Sequence, residues 1–247
     1  LGRPPWLPPS AGALAEDPAA EGAARRATLL ERLGLAPEAG WERGWLAEWA
    51  DSSAARLVAA SAALADGARP GPSIRLAGRA LARGAPRSAE LYRLLHPLRH
   101  ADLLRREAVA RGIDPAFAAA LVKQESNFTA DARSPAGARG LMQVMPAVGR
   151  GLWRGPGAWD PALLDRPDVN VPMGMRHLRA ALDAWPHPAY ALAAYNAGGS
   201  RVRRWRQKAG ATDPELFVER IPYAETRDYV RIVLRGRALY AGLYPGN

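Results

Sequence analysis

The chain has 247 residues, of which 48% are hydrophobic and 23% charged, as in an ordinary globular protein. This composition excludes a disordered tail, a collagen-like chain and a coiled-coil rod, and no apolar run reaches the roughly 18 residues that span a membrane. The formal net charge is +10, which suits an anionic partner such as nucleic acid, a membrane surface or cell-wall material. A genome biased toward arginine codons explains the charge equally well.

The sequence does not support disulfides or a metal site. Cysteine is absent, which excludes disulfides and thiolate metal sites. The four histidines do not have the close spacing of metal ligands. We therefore expect neither a metal nor another cofactor. The first five residues lack both an initiating Met and a basic-then-apolar signal pattern, so we expect a mature protein or a fragment whose targeting segment has been removed.

The distribution of residues predicts an all-α protein. Sustained alternation of Val, Ile, Thr and aromatic residues is missing, whereas Ala, Leu, Arg and Glu dominate between Gly and Pro. Asp17-Pro18 predicts the start of a first helix, and the spacing from Trp41 onward predicts a second helix through Val58. Further helices are expected over residues 73–83 and 88–95.

These short helices predict two domains. Residues 1–96 are expected to form an α-helical array of stacked hairpins, and His96-Pro97 marks a plausible boundary. Residues 97–247 are then the second domain, in which the motifs become individually recognisable. Most of the excess positive charge also falls in this second part of the chain.

One carboxylate in the second domain has an unusual predicted position. Asp114-Pro115 begins a helix that we expect to run to about Asn127, and Leu121 lies on its apolar face. Glu125 follows Leu121 by one turn and so shares that face. A salt bridge to an arginine is one explanation for a carboxylate there. The other is function, since burial raises a glutamate pKa and a general acid needs a raised pKa.

The residues that follow favour function, because four sequence blocks occur in a recognisable order. They are QESNF at 124–128, SPAGARGLMQVMP at 134–146, AAYNAG at 193–198 and IPYAETRDYV at 221–230. In order and spacing, these blocks resemble the catalytic domain of the soluble lytic murein transglycosylases, a family with a goose-type-lysozyme-like fold. The segment 168–178 also resembles the family, although His177 replaces its usual aromatic residue.

The resemblance implies a fold and a reaction. The fold is all-α, a lysozyme-like catalytic domain at residues 97–247 preceded by part of a superhelical array of α-helical hairpins. The implied reaction cleaves the β-1,4 bond between N-acetylmuramic acid (MurNAc) and N-acetylglucosamine (GlcNAc) in peptidoglycan and leaves a 1,6-anhydro-MurNAc end. Glu125 is implied as general acid and then general base. The implied partner is the glycan strand, rather than nucleic acid, and the substrate places the protein in the periplasm or cell envelope.

Three substrate-binding residues are implied in the second block. Ser134 matches the family serine that positions the acetamido group of the substrate. Gln143 and Met145 match positions that line the glycan groove.

The last two blocks imply three more substrate-binding residues. Tyr195 matches a tyrosine whose hydroxyl reaches toward the reacting centre, although a core aromatic at a helix end explains it as well. Asn196 is expected to brace that helix end and to contact sugar. Glu225 matches an acidic residue placed to meet the peptide stem or a sugar amide, the alternative being a surface ion pair with Arg227.

Two other functions stay open on sequence alone. A muramidase of the same fold would deliver water to the reacting carbon and give a reducing end, and Glu125 cannot distinguish it from a transglycosylase. A non-catalytic binder of an anionic glycan or of nucleic acid would use the basic second domain. The retention of Glu125, Ser134, Gln143 and Tyr195 together argues against a degenerate enzyme, and no nucleic-acid-binding module is recognisable.

Overall fold

The computed structural model describes residues 13–209 and 213–246. The chain divides into two compact units, Leu1–Leu98 and Arg99–Asn247. The described residues form helices and turns, with isolated bridges but no strand, which confirms the all-α prediction. None of the helices among these residues is long and apolar enough to cross a membrane. The identification of the first unit as part of a superhelical array stays a prediction.

The first unit contains helices whose neighbours in sequence pack on one another. Their bounds are α1 (Pro18–Arg32), α2 (Ala36–Ala50), α3 (Ala54–Ala63), α4 (Gly71–Ala82) and α5 (Ala89–Leu95). The start of α1 is as predicted, since the Asp17 carboxylate accepts hydrogen bonds from the backbone N–H groups of Ala19 and Ala20. Many small buried alanines form the core of this unit together with leucines, so its helices lie close together.

The prediction of a single helix from Trp41 through Val58 is wrong, because the helix is interrupted at residues 51–53. The Ser53 hydroxyl accepts a hydrogen bond from the backbone N–H of Arg56 and so caps a new helix, α3. Serine and aspartate side chains compete with the backbone for such bonds, which favours caps over helix interiors. Asp51, Ser52 and Ser53 therefore end α2, and α3 begins at Ala54.

The second unit contains the four recognised blocks. Its elements are α6 (Ala101–Val109), α7 (Pro115–Ser126), α8 (Pro146–Leu152), a 3-10 helix (Pro161–Asp165), α9 (Pro167–Ala184), α10 (Pro188–Ala197), α11 (Gly199–Ala209), α12 (Pro214–Glu219) and α13 (Ala224–Leu243). The long helix α13 packs on α7, and α10 packs against α9, α11 and α13. The last turn of α7, the end of α10 and the start of α13 therefore belong to one packed group.

Helix α7 forms the centre of this unit. Phe117, Leu121 and Val122 are at most 5% exposed, so the helix is buried on most of its surface. Gly236 of α13 allows the close approach of the two helices, because a Cβ at that position would lie 3.1 Å from the Cβ of Ala120. This contact fixes α13 along α7 and sets which of its side chains meet the end of α7.

Candidate active site

Glu125 lies in the last turn of α7. The Asp114 carboxylate caps the start of that helix by accepting a hydrogen bond from the backbone N–H of Ala116. The helix ends because Asn127 and Phe128 both adopt left-handed backbone conformations, with φ values of 48° and 60°. Phe128 is buried, so the chain turns into the core directly after α7, and Glu125 is the second-last residue of that helix.

The environment of Glu125 raises the pKa of its carboxyl from 4.5 to about 7. Burial is the main cause, since it disfavours the charged form. The negative charge of Glu225 adds to the effect, and a hydrogen bond from Tyr229 opposes it. No ion pair joins Glu125 to an arginine in the described part of the chain, so the structure contradicts the salt-bridge explanation. A carboxyl with this pKa exchanges its proton readily near neutral pH.

The hydroxyl of Tyr229 donates a hydrogen bond of 2.6 Å to Oε1 of Glu125. Tyr229 lies on α13, one turn after Glu225, and is itself 4% exposed. Burial and the charge of Glu125 raise its pKa well above the ordinary value, so the hydroxyl stays protonated and acts as a donor. Tyr229 is not among the site residues predicted from the sequence. The available signal was its helical spacing from Glu225 within the fourth block.

A buried amide organises the loop that contacts the end of α7, where the Ser126 hydroxyl donates to the Leu141 carbonyl oxygen. Asn170 of α9 is 0% exposed, and its side-chain oxygen accepts a hydrogen bond of 2.8 Å from the backbone N–H of Met142. Its amide nitrogen donates to the carbonyl oxygens of Arg139 and Leu164, at 2.8 and 2.9 Å. Gly140 makes this approach possible, because a Cβ there would lie 2.1 Å from the Leu164 oxygen.

The same loop is held from its other side by Tyr195. The Tyr195 hydroxyl donates a hydrogen bond of 2.8 Å to the carbonyl oxygen of Met142. Its ring packs at 4.9 Å from the imidazole of His177. The charge of Glu125, together with burial, raises the pKa of Tyr195, so the two residues are electrostatically coupled. The role expected of Tyr195 toward the reacting centre stays a prediction, and in this structure its hydroxyl positions the loop.

Three predicted residues lie on this loop without bonding to Glu125 in the described chain. The Ser134 hydroxyl accepts a hydrogen bond of 3.0 Å from the backbone N–H of Ala138 and so closes a tight turn. The Gln143 side-chain nitrogen donates to two loop carbonyls, at 2.9 and 3.1 Å. Met145 is 41% exposed at the start of α8. The exposed Met145 thioether is available for contact with a ligand.

The remaining predicted residues lie where α10 meets α13. The Asn196 side-chain oxygen accepts a hydrogen bond of 2.6 Å from the hydroxyl of Thr226, which joins the end of α10 to the first turn of α13. Glu225 lies beside Thr226 and is exposed. Its charge reaches Glu125, whereas no ion pair to Arg227 is present in the described residues, where Arg227 donates instead to the Ile221 carbonyl oxygen.

The arrangement suits acid–base chemistry by a single proton-exchanging carboxyl. Glu125 is brought together with Tyr229, Tyr195 and Glu225 through contact or charge. No group of three or more acidic, histidine or cysteine side chains that could hold a metal occurs within residues 13–209 and 213–246. Proton transfer by Glu125, with Tyr229 stabilising its carboxylate form, is therefore the chemistry that these side chains support.

Comparison with known proteins relates this domain to one family. Residues 102–218 match the family model described as Transglycosylase SLT domain. The soluble lytic murein transglycosylase of Escherichia coli K12 is 38% identical over 149 residues, which covers 58% of this chain and 23% of that protein. The protein of the same name from Salmonella typhimurium is also 38% identical, with the same coverage. This chain thus spans about a quarter of the length of these curated relatives.

Solved structures extend the similarity beyond the matched domain. The 70 kDa soluble lytic transglycosylase SLT70 of Escherichia coli superposes with a TM-score of 0.79 at 27% identity, over 96% of this chain and 37% of that one. An inactive glutamate-to-glutamine mutant of lytic transglycosylase Slt from Pseudomonas aeruginosa gives a TM-score of 0.76 at 29% identity, over 96% of this chain and 38% of that one. The all-α, lysozyme-like fold class is confirmed. The predicted resemblance is confirmed as well, since residues 102–218 match the Transglycosylase SLT domain model and the chain is similar to the soluble lytic murein transglycosylases.

Proposed function

We propose that the second unit is a peptidoglycan lytic transglycosylase that cleaves the β-1,4 bond between MurNAc and GlcNAc. The observation that carries this proposal is the carboxyl of Glu125, which accepts a hydrogen bond from Tyr229 and has a pKa of about 7. The similarity to lytic transglycosylases supports it, as does an inactive relative in which glutamine replaces a glutamate. No cofactor enters the proposed reaction, the proposed partner is the glycan strand of the cell envelope, and the proposed location is the periplasm.

In the first step, protonated Glu125 donates its proton to the glycosidic oxygen. The bond from C1 of MurNAc to that oxygen breaks, and GlcNAc leaves with a free hydroxyl. The acetamido oxygen of the same MurNAc stabilises the positive charge at C1, so the protein does not need a second carboxylate as nucleophile. Ser134 and the loop around Met142 would then orient the acetamido group.

In the second step, the Glu125 carboxylate removes the proton from the C6 hydroxyl of MurNAc. The C6 oxygen attacks C1, which closes the 1,6-anhydro ring and returns Glu125 to its protonated form. No water is consumed, and the proton balance closes on one residue. Tyr229 stabilises the carboxylate that exists between the steps, because it donates its hydrogen bond to the charged form.

Glu225 provides a specific reason to keep a second candidate function. Most glycosidases use two carboxylates, one as acid and the other as base or nucleophile, and the charge of Glu225 does reach Glu125. A muramidase of this fold would use such a second carboxylate to activate water. Its product would be heavier than the anhydro product by one water molecule.

Mass spectrometry of the muropeptides released from purified peptidoglycan tests the proposal. The wild-type chain is expected to release anhydro-MurNAc products, and Glu125→Gln is expected to lose several orders of magnitude in turnover, because an amide cannot exchange the proton. The matched control is Glu215→Gln, which makes the same change at an exposed position at the start of α12 and should retain activity.

Each outcome of this experiment distinguishes one function. Products heavier by one water molecule would assign the chain to the muramidases and leave Glu125 as the acid. Near-normal release by Glu125→Gln would remove Glu125 from the mechanism. No release by the folded wild-type chain, together with retained binding to peptidoglycan, would favour a non-catalytic binder.

A further inference from the structure

Within the described residues, the arginines of α11 have no acidic partner. Several arginines elsewhere pair with carboxylates, as in Arg139 with Asp165 and Arg237 with Asp114. Arg201, Arg203 and Arg204 are exposed, and no ion pair involves them in the described part of the chain. A cluster of exposed guanidinium groups without an acidic partner is a candidate site for anions.

Two of these arginines share one face of α11 with an aromatic side chain. Arg201, Arg204 and Trp205 are three and four residues apart, which places them side by side on a helix. The ring of Tyr223, which is 51% exposed, meets the Trp205 ring edge to face at 5.3 Å. The Arg201 guanidinium lies 5.7 Å from the centre of the same Tyr223 ring. We call these four residues the α11 patch.

Arg201 is held in place before any ligand arrives. It donates a hydrogen bond of 2.7 Å to the carbonyl oxygen of Ala197, and the Tyr223 ring restricts its other side. A guanidinium that is already oriented loses less entropy on binding, and its planar fork matches a carboxylate. Arg206 belongs to the opposite, inner face, where it packs at 4.6 Å over the Tyr190 ring, and is not part of the patch.

The α11 patch lies beside the candidate active site. Tyr223 immediately precedes α13, which carries both Glu225 and Tyr229. Tyr229 follows Tyr223 by six residues, which corresponds to about 9 Å along a helix axis. Glu225 therefore lies, along the chain, between Tyr223 of the patch and Tyr229, which contacts Glu125.

We propose that the α11 patch binds carboxylates of the peptide stems attached to the glycan, an inference that rests on the proposed function. The exposed carboxylate of Glu225 lies two residues from Tyr223 and has no ion pair with the patch in the described residues. The surface thus presents a negative charge next to positive ones. A peptide that carries both an amine and carboxylates complements this pattern, whereas Glu225 repels a uniformly anionic lipid surface or nucleic acid.

The test compares two substrates, peptide-bearing peptidoglycan and glycan strands from which an amidase has removed the peptides. The measured quantity is the ratio of kcat/KM on the first substrate to kcat/KM on the second. In the double variant Arg201→Gln/Arg204→Gln, this ratio is expected to fall about tenfold, as for the loss of charge-assisted hydrogen bonds. The control Arg87→Gln/Arg235→Gln removes the same charge from exposed positions outside α11 and should keep the ratio within about twofold.

A second variant keeps the test valid if the glutamine pair folds poorly, which circular dichroism would reveal. Arg201→Lys/Arg204→Lys retains the charge but not the planar fork, so an intermediate ratio is expected. An unchanged ratio in both folded double variants would overturn the inference and leave the proposed function intact. The same holds if the ratio is unchanged while binding to vesicles of anionic lipid is lost, which would make the patch a membrane contact. No release from either substrate by the wild type would overturn the proposed function, and this inference with it.

Discussion

The hydroxyl of Tyr229 donates its hydrogen bond to Glu125 across 104 residues of sequence, at 2.6 Å. The bond acts against the burial that raises the pKa of Glu125, because it stabilises the charged carboxylate. The two effects leave that pKa at about 7. The carboxyl is therefore able to donate a proton and to take one back near neutral pH, as both steps of the proposed reaction require.

Replacing Tyr229 by phenylalanine should raise the pKa of Glu125, since the hydrogen bond to the carboxylate is lost. The first step needs protonated Glu125, so activity falls as the pH rises through this pKa. We expect the alkaline limb of the kcat/KM profile to move to higher pH and kcat/KM at pH 7 to fall about tenfold, because the carboxylate intermediate is less stable.

Tyr240→Phe is the matched control for this variant. Tyr240 is also a buried tyrosine of α13, 2% exposed, and lies three turns farther along the helix. Its replacement should leave the alkaline limb in place even if stability falls. A Tyr229→Phe profile that stays in place, or that moves to lower pH, would show that the hydroxyl does not control Glu125.

Replacing Glu225 by glutamine should have the opposite effect on the profile. The charge of Glu225 raises the pKa of Glu125, so its removal lowers that pKa and moves the alkaline limb to lower pH. Glu225 is exposed, so salt should screen the interaction. Raising the ionic strength of the wild type should therefore reproduce part of the shift, and have little effect on the variant. A limb that moves upward in Glu225→Gln would contradict this coupling.

Glu125 also links folding stability to pH. Its pKa is about 7 in the folded chain against an ordinary value of 4.5, so the folded state holds the proton more tightly. The stability that this provides is fully present below pH 4.5 and is lost as the pH rises toward 7. Glu125→Gln, which never ionises, should therefore be more stable than the wild type at pH 8, by about 1–3 kcal/mol, and no more stable at pH 4.

Urea denaturation at both pH values measures this difference. Glu215→Gln, the same exchange at an exposed position, again serves as the control. If Glu125→Gln gains nothing at pH 8, the carboxyl is not held at a raised pKa. A gain in stability in Glu125→Gln would show that the Glu125 carboxyl lowers the stability of the folded chain at this pH.

The sequence was sufficient to predict where Glu125 lies but not which group contacts it. The helical spacing of Leu121 and Glu125 predicted a carboxylate on the apolar face at the end of α7, and its role as the acid stays a proposal. The contact of Tyr229 was not predicted, because it depends on how α13 packs along α7. That packing depends on Gly236, seven residues later in α13, which allows the two helices to approach closely. The break at residues 51–53 was missed for a more local reason, since cap formation by Ser53 outweighed the helical spacing of the tryptophans and leucines around it.

Asn170 provides the most direct test of how the loop is positioned. Its amide donates to the carbonyl oxygens of Arg139 and Leu164 and accepts from the N–H of Met142. Asn170→Asp would place a carboxylate oxygen against two carbonyl oxygens in a buried site. We expect a loss of about 3 kcal/mol or more in the free energy of unfolding at pH 7, and a loss of activity because the Met142 segment shifts.

The pH dependence of this variant separates its charge from its shape. At low pH the new carboxyl takes up a proton and recovers one donor, so the loss of stability should shrink as the pH falls through its pKa. Asp168→Asn, on the first turn of the same helix and in an exposed ion pair with Arg166, should change stability by less than about 1 kcal/mol. Asn170→Asp that unfolds at the same urea concentration as the wild type would mean that the loop does not depend on this amide, and the turn closed by Ser134 would then be the element that positions Met142.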